Sequence, residues 1–250
     1  ICVPTTFRSP FVFTNQVPVI DSRNNQVKLL NVQTNICKLL LIDPNLMLTL
    51  TENQRASMSL EVLCQATEAY LSQRENFFSD MFVEKAVELM GYALDGSPSL
   101  EITTPQEILF AQSGVMTSIA NGASSLGIAS LLALTINTRY KLPKSLVTTI
   151  LFPYIIEDAV KFKADRLSKL AHILKIVPDD VTGEDAAHAF AENIRQRIAK
   201  ENLPARLKDL QLTIEQLALA AEDAGQLEII NKLPRSMTAD DLFDLVKLAF

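Results

Sequence analysis

The sequence predicts a mainly α-helical protein with a small β segment at its N-terminal end. Residues 108–138 carry no formal charge, so a helix there would be apolar around most of its circumference and must be buried. From Thr51 onward the flanking segments place apolar residues at helical spacing and can pack around that run. We therefore expect a bundle of about eight helices of ordinary length over residues 51–250.

Residues 1–50 contain short apolar or β-branched runs separated by polar turns. The clearest turn, DSRNN at residues 21–25, predicts a hairpin of residues 17–21 with residues 26–30. The strings ICVP and KLLLID predict two flanking strands, the second buried on both faces. These strands cannot form a covered sheet alone, so we expect partner strands from a second chain or from a missing N-terminal half.

The expected helices begin and end at identifiable signals. Thr51 is a candidate N-cap, Thr104 caps a helix with Pro105 at its first position, and Thr213 forms a capping box with Gln216. Pro153 predicts a kink or a restart. The uncharged run is expected to break near Asn121-Gly122. The other expected helices span residues 55–71, 76–94, 144–160, 165–176, 183–201, 213–223 and 239–250.

Composition excludes some classes of function and favours a compartment. The net charge of -6 argues against a nucleic-acid surface. Three cysteines without a CxxC pair indicate reduced thiols and a cytoplasmic protein. Residues 108–138 are long enough to cross a bilayer, which takes about 20 residues, but their polar side chains favour a buried core helix. Because Ile1 already belongs to an expected strand, we expect an incomplete polypeptide.

Several short strings follow one another along most of the chain: VPTT from Val3, LLIDPNL from Leu40, ATEAY from Ala66, LGI from Leu126, LP and ILFP within residues 142–153, and residues 231–241. In this order the strings resemble the iron-containing alcohol dehydrogenase superfamily. The resemblance implies a Rossmann-like N-terminal domain that binds NAD(P) and an all-helical C-terminal domain that holds Fe²⁺ or Zn²⁺. It further implies that residues 1–50 are a remnant of the nucleotide domain and residues 51–250 the helical domain.

The resemblance also implies which positions held the metal. The superfamily uses one Asp and three His, and these positions fall here on Glu61, Gln65, Leu134 and Lys144. Glu61 could still ligate, Gln65 is a weak ligand and Leu134 has no donor atom. Lys144 would be protonated at a reference pKa of about 10.4. A further His that often precedes the second ligand corresponds to Ser130. No metal site is therefore expected.

The histidine count supports the same expectation. The chain has two histidines, His172 and His188, and neither lies in a matched string. Three imidazole ligands are therefore impossible, and both residues are expected to be ordinary surface or boundary histidines.

The cofactor turn departs from the superfamily pattern as well. A Gly-rich turn usually follows Pro-Thr-Thr, but this chain has FRSPFV at residues 7–12. Glycine permits close approach of the backbone to a ligand, whereas Arg8 and Pro10 forbid it. We expect no cofactor in this chain, and NAD(P) only if a nucleotide domain is supplied elsewhere.

Glu61 and Glu68 lie about two turns apart on one expected helix. They are either a residual metal or acid–base pair or plain buried carboxylates, and the missing partners favour the second interpretation. Lys144 near Glu61 could form an ion pair that replaces the metal.

The sequence supports two hypotheses of function. The first is a non-catalytic descendant of the metal-binding domain that acts as a structural or interaction module, alone or as a homo-oligomer. The second is part of an NAD(P)-dependent alcohol dehydrogenase-like oxidoreductase whose nucleotide domain is absent from this chain. Neither hypothesis involves a nucleic acid or a membrane, and neither assigns a catalytic residue.

Overall fold

The computed structural model describes residues 1–32, 37–96 and 102–250. A two-stranded hairpin precedes eight α-helices within these residues, which confirms the predicted fold class. The elements are β1 (Gln16–Asp21), β2 (Gln26–Asn31), α1 (Glu52–Leu71), α2 (Phe77–Asp95), α3 (Gln106–Ala123), α4 (Ile128–Tyr140), α5 (Lys144–Ile173), α6 (Gly183–Lys200), α7 (Ile214–Gly225) and α8 (Ala239–Leu248).

The hairpin forms where the turn signal predicted it. β1 and β2 pair antiparallel, with Ile20 opposite Val27 and Asp21 opposite Gln26. Gln26 also fastens the hairpin to the helices, because its side-chain amide donates to Asp223 of α7 over 2.7 Å. The predicted hairpin of residues 17–21 with 26–30 is confirmed.

The two predicted flanking strands are not present as strands. Cys2 and Leu40 instead form one isolated parallel bridge. Leu39 and Leu41 are 48% and 49% exposed, so the expectation that KLLLID is buried on both faces is wrong. In the part of the chain that the structure describes, no further strand lies beside this bridge to cover their side chains.

Helix capping follows the sequence in most places. Thr51 and Thr213 each accept from the backbone N–H three residues on, which confirms Thr51 as an N-cap and the predicted capping box of Thr213 with Gln216. Thr51 also forms a capping box with Gln54, which was not predicted from the sequence. Thr104 is not the cap of α3. Pro105 has extended backbone angles and immediately precedes the first helical residue, so the helix begins one residue later than expected and no side chain caps it.

α5 runs through Pro153 and breaks later. Its only non-helical residue is Lys163, with φ -137° and ψ 28°, so the predicted helices 144–160 and 165–176 form one element with an internal kink. Pro153 is buried beside Phe152. Packing of this segment in the core compensates for the hydrogen bond that proline cannot donate.

The uncharged run lies in the core, as predicted, and is divided between two helices. α4 is buried along most of its length, with Leu131, Leu132 and Ile136 fully enclosed. The break falls between α3 and α4, which are bent by 100° relative to each other. Among the described residues no single helix is both long and apolar enough to cross a membrane, although these two pass that test when taken together.

The N-terminal segment lies against α3 because two glycines leave room for its backbone. A Cβ at Gly114 would stand 1.7 Å from the carbonyl oxygen of Phe7, and one at Gly122 would stand 2.7 Å from that of Phe13. The Phe7 ring stacks on Phe110 of α3 with a centroid separation of 5.0 Å. These contacts fix the backbone on either side of Arg8.

Candidate functional site

The four implied metal positions and Ser130 meet around one small cavity. α1 presents Glu61 and Gln65 one turn apart, α4 presents Ser130 and Leu134, and α5 begins with Lys144. The cavity measures about 10 Å³, which is room for about one water molecule. The structure therefore brings together the residues that the resemblance grouped, in a space too small for a substrate.

Glu61 has an ion-pair partner that the sequence did not indicate. Its carboxylate is 2% exposed, and Oε2 accepts from the Arg8 guanidinium at 2.7 Å. Oε1 accepts from the Gln65 side-chain amide at 3.3 Å. Burial raises the pKa of Glu61, while the positive charges of Arg8 and Lys144 partly offset that rise.

Lys144 does not form the expected direct ion pair with Glu61. Within the described residues, the cation in ion-pair contact with Glu61 is Arg8. Lys144 lies at the same cavity and acts on Glu61 only through its charge. Burial lowers the pKa of the Lys144 ammonium, the Glu61 carboxylate raises it, and the Arg8 guanidinium lowers it again. The expectation was wrong because residues 7–13 pack on α3, and this packing places the Arg8 guanidinium in direct contact with the Glu61 carboxylate.

The donor set at this cavity does not fit Fe²⁺ or Zn²⁺. Those ions need several imidazole, thiolate or carboxylate donors. The cavity offers one carboxylate already bonded to Arg8, one amide, two hydroxyls and an ammonium group, while Leu134 contributes only hydrocarbon. Among the residues that the structure describes, no three His, Cys, Asp or Glu side chains form a group that could hold a metal ion.

Glu68 has a separate role from Glu61. Its Oε1 accepts from the backbone N–H groups of Ala129 at 2.6 Å and Ser130 at 3.1 Å, so it caps the first turn of α4 from another helix. A Cβ at Gly127 would stand 2.8 Å from the Glu68 carboxyl carbon. The glycine in the LGI string therefore makes space for this carboxylate, a relationship that spacing along the sequence could not indicate.

Burial also dominates the electrostatics of Glu68. Desolvation raises its pKa, and the hydrogen bonds that it accepts from the backbone N–H groups of Ser130 and Ala129 oppose that rise. Oε2 has no hydrogen-bond partner among the described residues. Because Glu61 and Glu68 bond to different groups, the geometry favours two structural carboxylates over a shared metal or acid–base pair.

The segment that corresponds to the cofactor turn instead forms part of the cavity wall. Pro10 and Phe11 form part of its wall, while Arg8 reaches Glu61. In the sequence, Arg8 and Pro10 are visible only as departures from a Gly-rich turn. The available signal was that a cationic side chain stands at residue 8 in a chain whose three implied histidine ligand positions have lost their histidines.

A larger cleft lies beside this cavity and shares Phe11 and Leu126 with it. The cleft has a volume of about 330 Å³ and is lined by the cationic side chains of Arg74 and Lys232. Asn121 also lines it and is 3% exposed, yet neither atom of its amide has a hydrogen-bond partner in the described part of the chain. This cleft can accommodate a small polar ligand.

Comparison with known proteins places the fold in one family. The model of the Fe-containing alcohol dehydrogenase family, C-terminal, matches residues 55–250. Lactaldehyde reductase of Escherichia coli K12 is 21% identical over 196 residues, which cover 78% of this chain and 51% of that protein. 1,3-Propanediol dehydrogenase of Citrobacter freundii is 22% identical over 205 residues, which cover 82% and 53%.

Solved structures share the fold. A 1,3-propanediol oxidoreductase matches with a TM-score of 0.89 at 19% identity, and an alcohol dehydrogenase from Oenococcus oeni with 0.89 at 22% identity. Each match covers 99% of this chain and 65% of the other. The chain spans about half the length of the curated relatives that it matches. With the family model extending from α1 to Phe250, the chain belongs to the Fe-containing alcohol dehydrogenase family and carries its C-terminal domain.

Proposed function

We propose that this chain is a non-catalytic member of the family, in which the helical domain serves as a structural or interaction module. The observation that carries the proposal is the Arg8–Glu61 ion pair at the implied metal position. A guanidinium group supplies positive charge to the one carboxylate at the implied ligand positions, and Pro10 and Phe11 line the space of about 10 Å³ that remains. Chemistry that depends on a metal at this place then has neither ligands nor room.

Metal content and redox activity test this proposal together. The protein is purified, incubated with Fe²⁺ or Zn²⁺, desalted and analysed for bound metal. It is then assayed for NAD(P)H-dependent reduction of short aldehydes, with the lactaldehyde reductase of Escherichia coli as a positive control. We expect no stoichiometric metal and no turnover. One metal ion per chain would overturn the account of Glu61, Gln65, Leu134 and Lys144.

An interaction role is supported by the apolar side chains at the isolated bridge. Val3, Leu39 and Leu41 are each about half exposed around the Cys2–Leu40 pairing. Unpaired strand edges with apolar side chains favour the addition of another strand. We propose that polypeptide from a second chain, or from a longer form of this one, pairs beside this bridge and extends it into a sheet. Chemical crosslinking at Lys38, followed by mass spectrometry of the linked peptides, tests which polypeptide lies beside this bridge.

The alternative function is part of an NAD(P)-dependent oxidoreductase, and the larger cleft favours it. Arg74, Lys232 and the Asn121 amide, which has no partner among the described residues, offer donors to a ligand in a space of about 330 Å³. Titration with NADH and NADPH, followed by nucleotide fluorescence, tests this alternative. Saturable binding that R74M and K232M weaken would favour retained nucleotide binding, whereas no binding would favour the non-catalytic module.

A further inference from the structure

Cys2 and Cys37 are held at the same backbone carbonyl although they are far apart in the sequence. The Cys2 backbone N–H donates to the oxygen of Leu39 at 2.8 Å. The Cys37 thiol donates to that same oxygen at 3.3 Å. The parallel bridge between Cys2 and Leu40 fixes this arrangement, since the Leu41 N–H in turn donates to the oxygen of Cys2 over 2.9 Å.

The two thiols also interact electrostatically. Burial raises the pKa of the Cys2 thiol, and the charge of the neighbouring Cys37 thiol raises it further. Both side chains are partly exposed, so a small oxidant can reach them. Cys64 contrasts with both, because it is fully buried in α1 and burial raises the pKa of its thiol well above the usual value.

We propose that Cys2 and Cys37 form a reversible disulfide. This pair is then a thiol oxidation site separate from the implied metal and cofactor positions. A low-molecular-weight disulfide, such as glutathione disulfide, is the oxidant. The thiolate of one cysteine attacks it, forms a mixed disulfide and releases one glutathione thiolate. The second cysteine loses its proton, attacks the protein sulfur of that mixed disulfide and releases the second glutathione. The protein loses two protons and two electrons, and the oxidant becomes two thiols.

Such a bond joins the N-terminal segment to the other half of the isolated bridge. The closed loop would contain the hairpin and Arg8, so the disulfide restrains the segment that covers the Glu61 cavity. In a reducing compartment a disulfide of this kind is transient and responds to the redox state. Oxidation is therefore expected to stabilise the folded chain without altering the helical core.

Peptide mapping under non-reducing conditions tests the proposal. The protein is treated with glutathione disulfide, remaining thiols are alkylated, and trypsin digestion is followed by mass spectrometry. Cleavage after Arg8, Lys28 and Lys38 separates Cys2 from Cys37, and cleavage after Arg55 and Arg74 isolates Cys64. We expect the peptide ending at Arg8 to be linked to residues 29–38, a link that dithiothreitol removes.

Single serine variants provide the controls. C2S and C37S should each abolish the linked peptide, while C64S should retain it. Oxidation should raise the melting temperature of the wild type and of C64S by several degrees and leave C2S and C37S unchanged. Free thiols at Cys2 and Cys37 after oxidation, a link that includes Cys64, a glutathione adduct that persists, or a covalent dimer on a non-reducing gel would each overturn the proposal.

Discussion

Arg8 Nη1 lies 2.7 Å from Oε2 of Glu61 and is the cation in ion-pair contact with that carboxylate in the described part of the chain. Glu61 is 2% exposed, whereas the Arg8 side chain is 23% exposed. An isolated carboxylate at such a site would be very costly to ionise. The guanidinium of the N-terminal segment therefore supplies a positive charge that, together with the charge of Lys144, stabilises an ionised Glu61 in the core.

Replacing Arg8 should expose the cost of that buried charge. We expect R8M to lower the free energy of unfolding by about 3 kcal/mol at neutral pH, because it leaves the buried Glu61 carboxylate without its ion-pair contact. Urea denaturation followed by circular dichroism measures the change. R23M is the matched control, since Arg23 is paired with Asp21 on the exposed turn, and it should change stability little.

Neutralising Glu61 in the same background should restore much of the loss. In R8M/E61Q the charge that lacked a partner is gone, so the double variant should be more stable than R8M alone. If R8M and E61Q instead destabilise additively, the two side chains do not act as a pair.

The raised pKa of Glu61 gives a pH dependence of defined sign. Burial moves its pKa above the ordinary value of 4.5. Between the unfolded and the folded values, the folded chain holds a proton that the unfolded chain has lost, so stability falls as pH rises. The stability of wild type relative to E61Q should be greatest below about pH 4.5 and decline as pH rises through the folded pKa. Paired urea titrations across this range measure it, and a constant difference would contradict the raised pKa.

The sequence predicted the helices better than the N-terminal segment, for a physical reason. Capping boxes and helical periodicity are local, so Thr51, Thr213 and the buried run at residues 108–138 could be interpreted from neighbouring residues. Strand pairing is not local. ICVP and KLLLID carried the composition of buried strands, but the partners that would bury them are not in the described part of the chain.

At the candidate site, too, the sequence predicted some features and missed those that depend on contacts between distant residues. Resemblance grouped Glu61, Gln65, Leu134 and Lys144, and the structure places them around one cavity. The choice between Lys144 and Arg8 as the partner of Glu61 depended on how residues 7–13 pack against α3. The bonds from α4 to Glu68 likewise cross between helices distant in sequence. No spacing of residues along the sequence predicts either of these contacts.

Glu68 offers a second test of a buried carboxylate, and here charge and hydrogen bonding can be separated. E68Q keeps an oxygen that can accept from Ala129 and Ser130 and removes a buried charge whose Oε2 has no partner among the described residues. We expect E68Q to match or exceed the wild type in stability at pH 7. E68A removes the acceptor and should cost about 2 kcal/mol, because two buried N–H groups lose their partner.

Chemical denaturation of both Glu68 variants measures this difference. A loss in E68Q as large as that in E68A would mean that the negative charge at the start of α4, rather than the hydrogen bonds, provides the stabilisation.

Alanine substitutions at two helical glycines distinguish the effect of packing by the N-terminal segment from the effect of helix propensity. Alanine is favoured over glycine inside a helix by about 1 kcal/mol. At Gly91 in α2 the nearest atom to a new Cβ is a flexible leucine methyl at 3.3 Å, so G91A should be neutral or stabilising. At Gly114 in α3 the new Cβ would stand 1.7 Å from the Phe7 backbone oxygen, which cannot rotate away.

G114A must therefore displace the segment that carries Arg8. We expect it to lose about 2 kcal/mol of stability despite its better propensity, since overpacking forces the backbone apart. The displacement should also weaken the Arg8–Glu61 pair, so adding R8M to G114A should cost less than adding R8M to the wild type. Equal costs in the two backgrounds would show that Arg8 reaches Glu61 independently of the contact between Phe7 and α3.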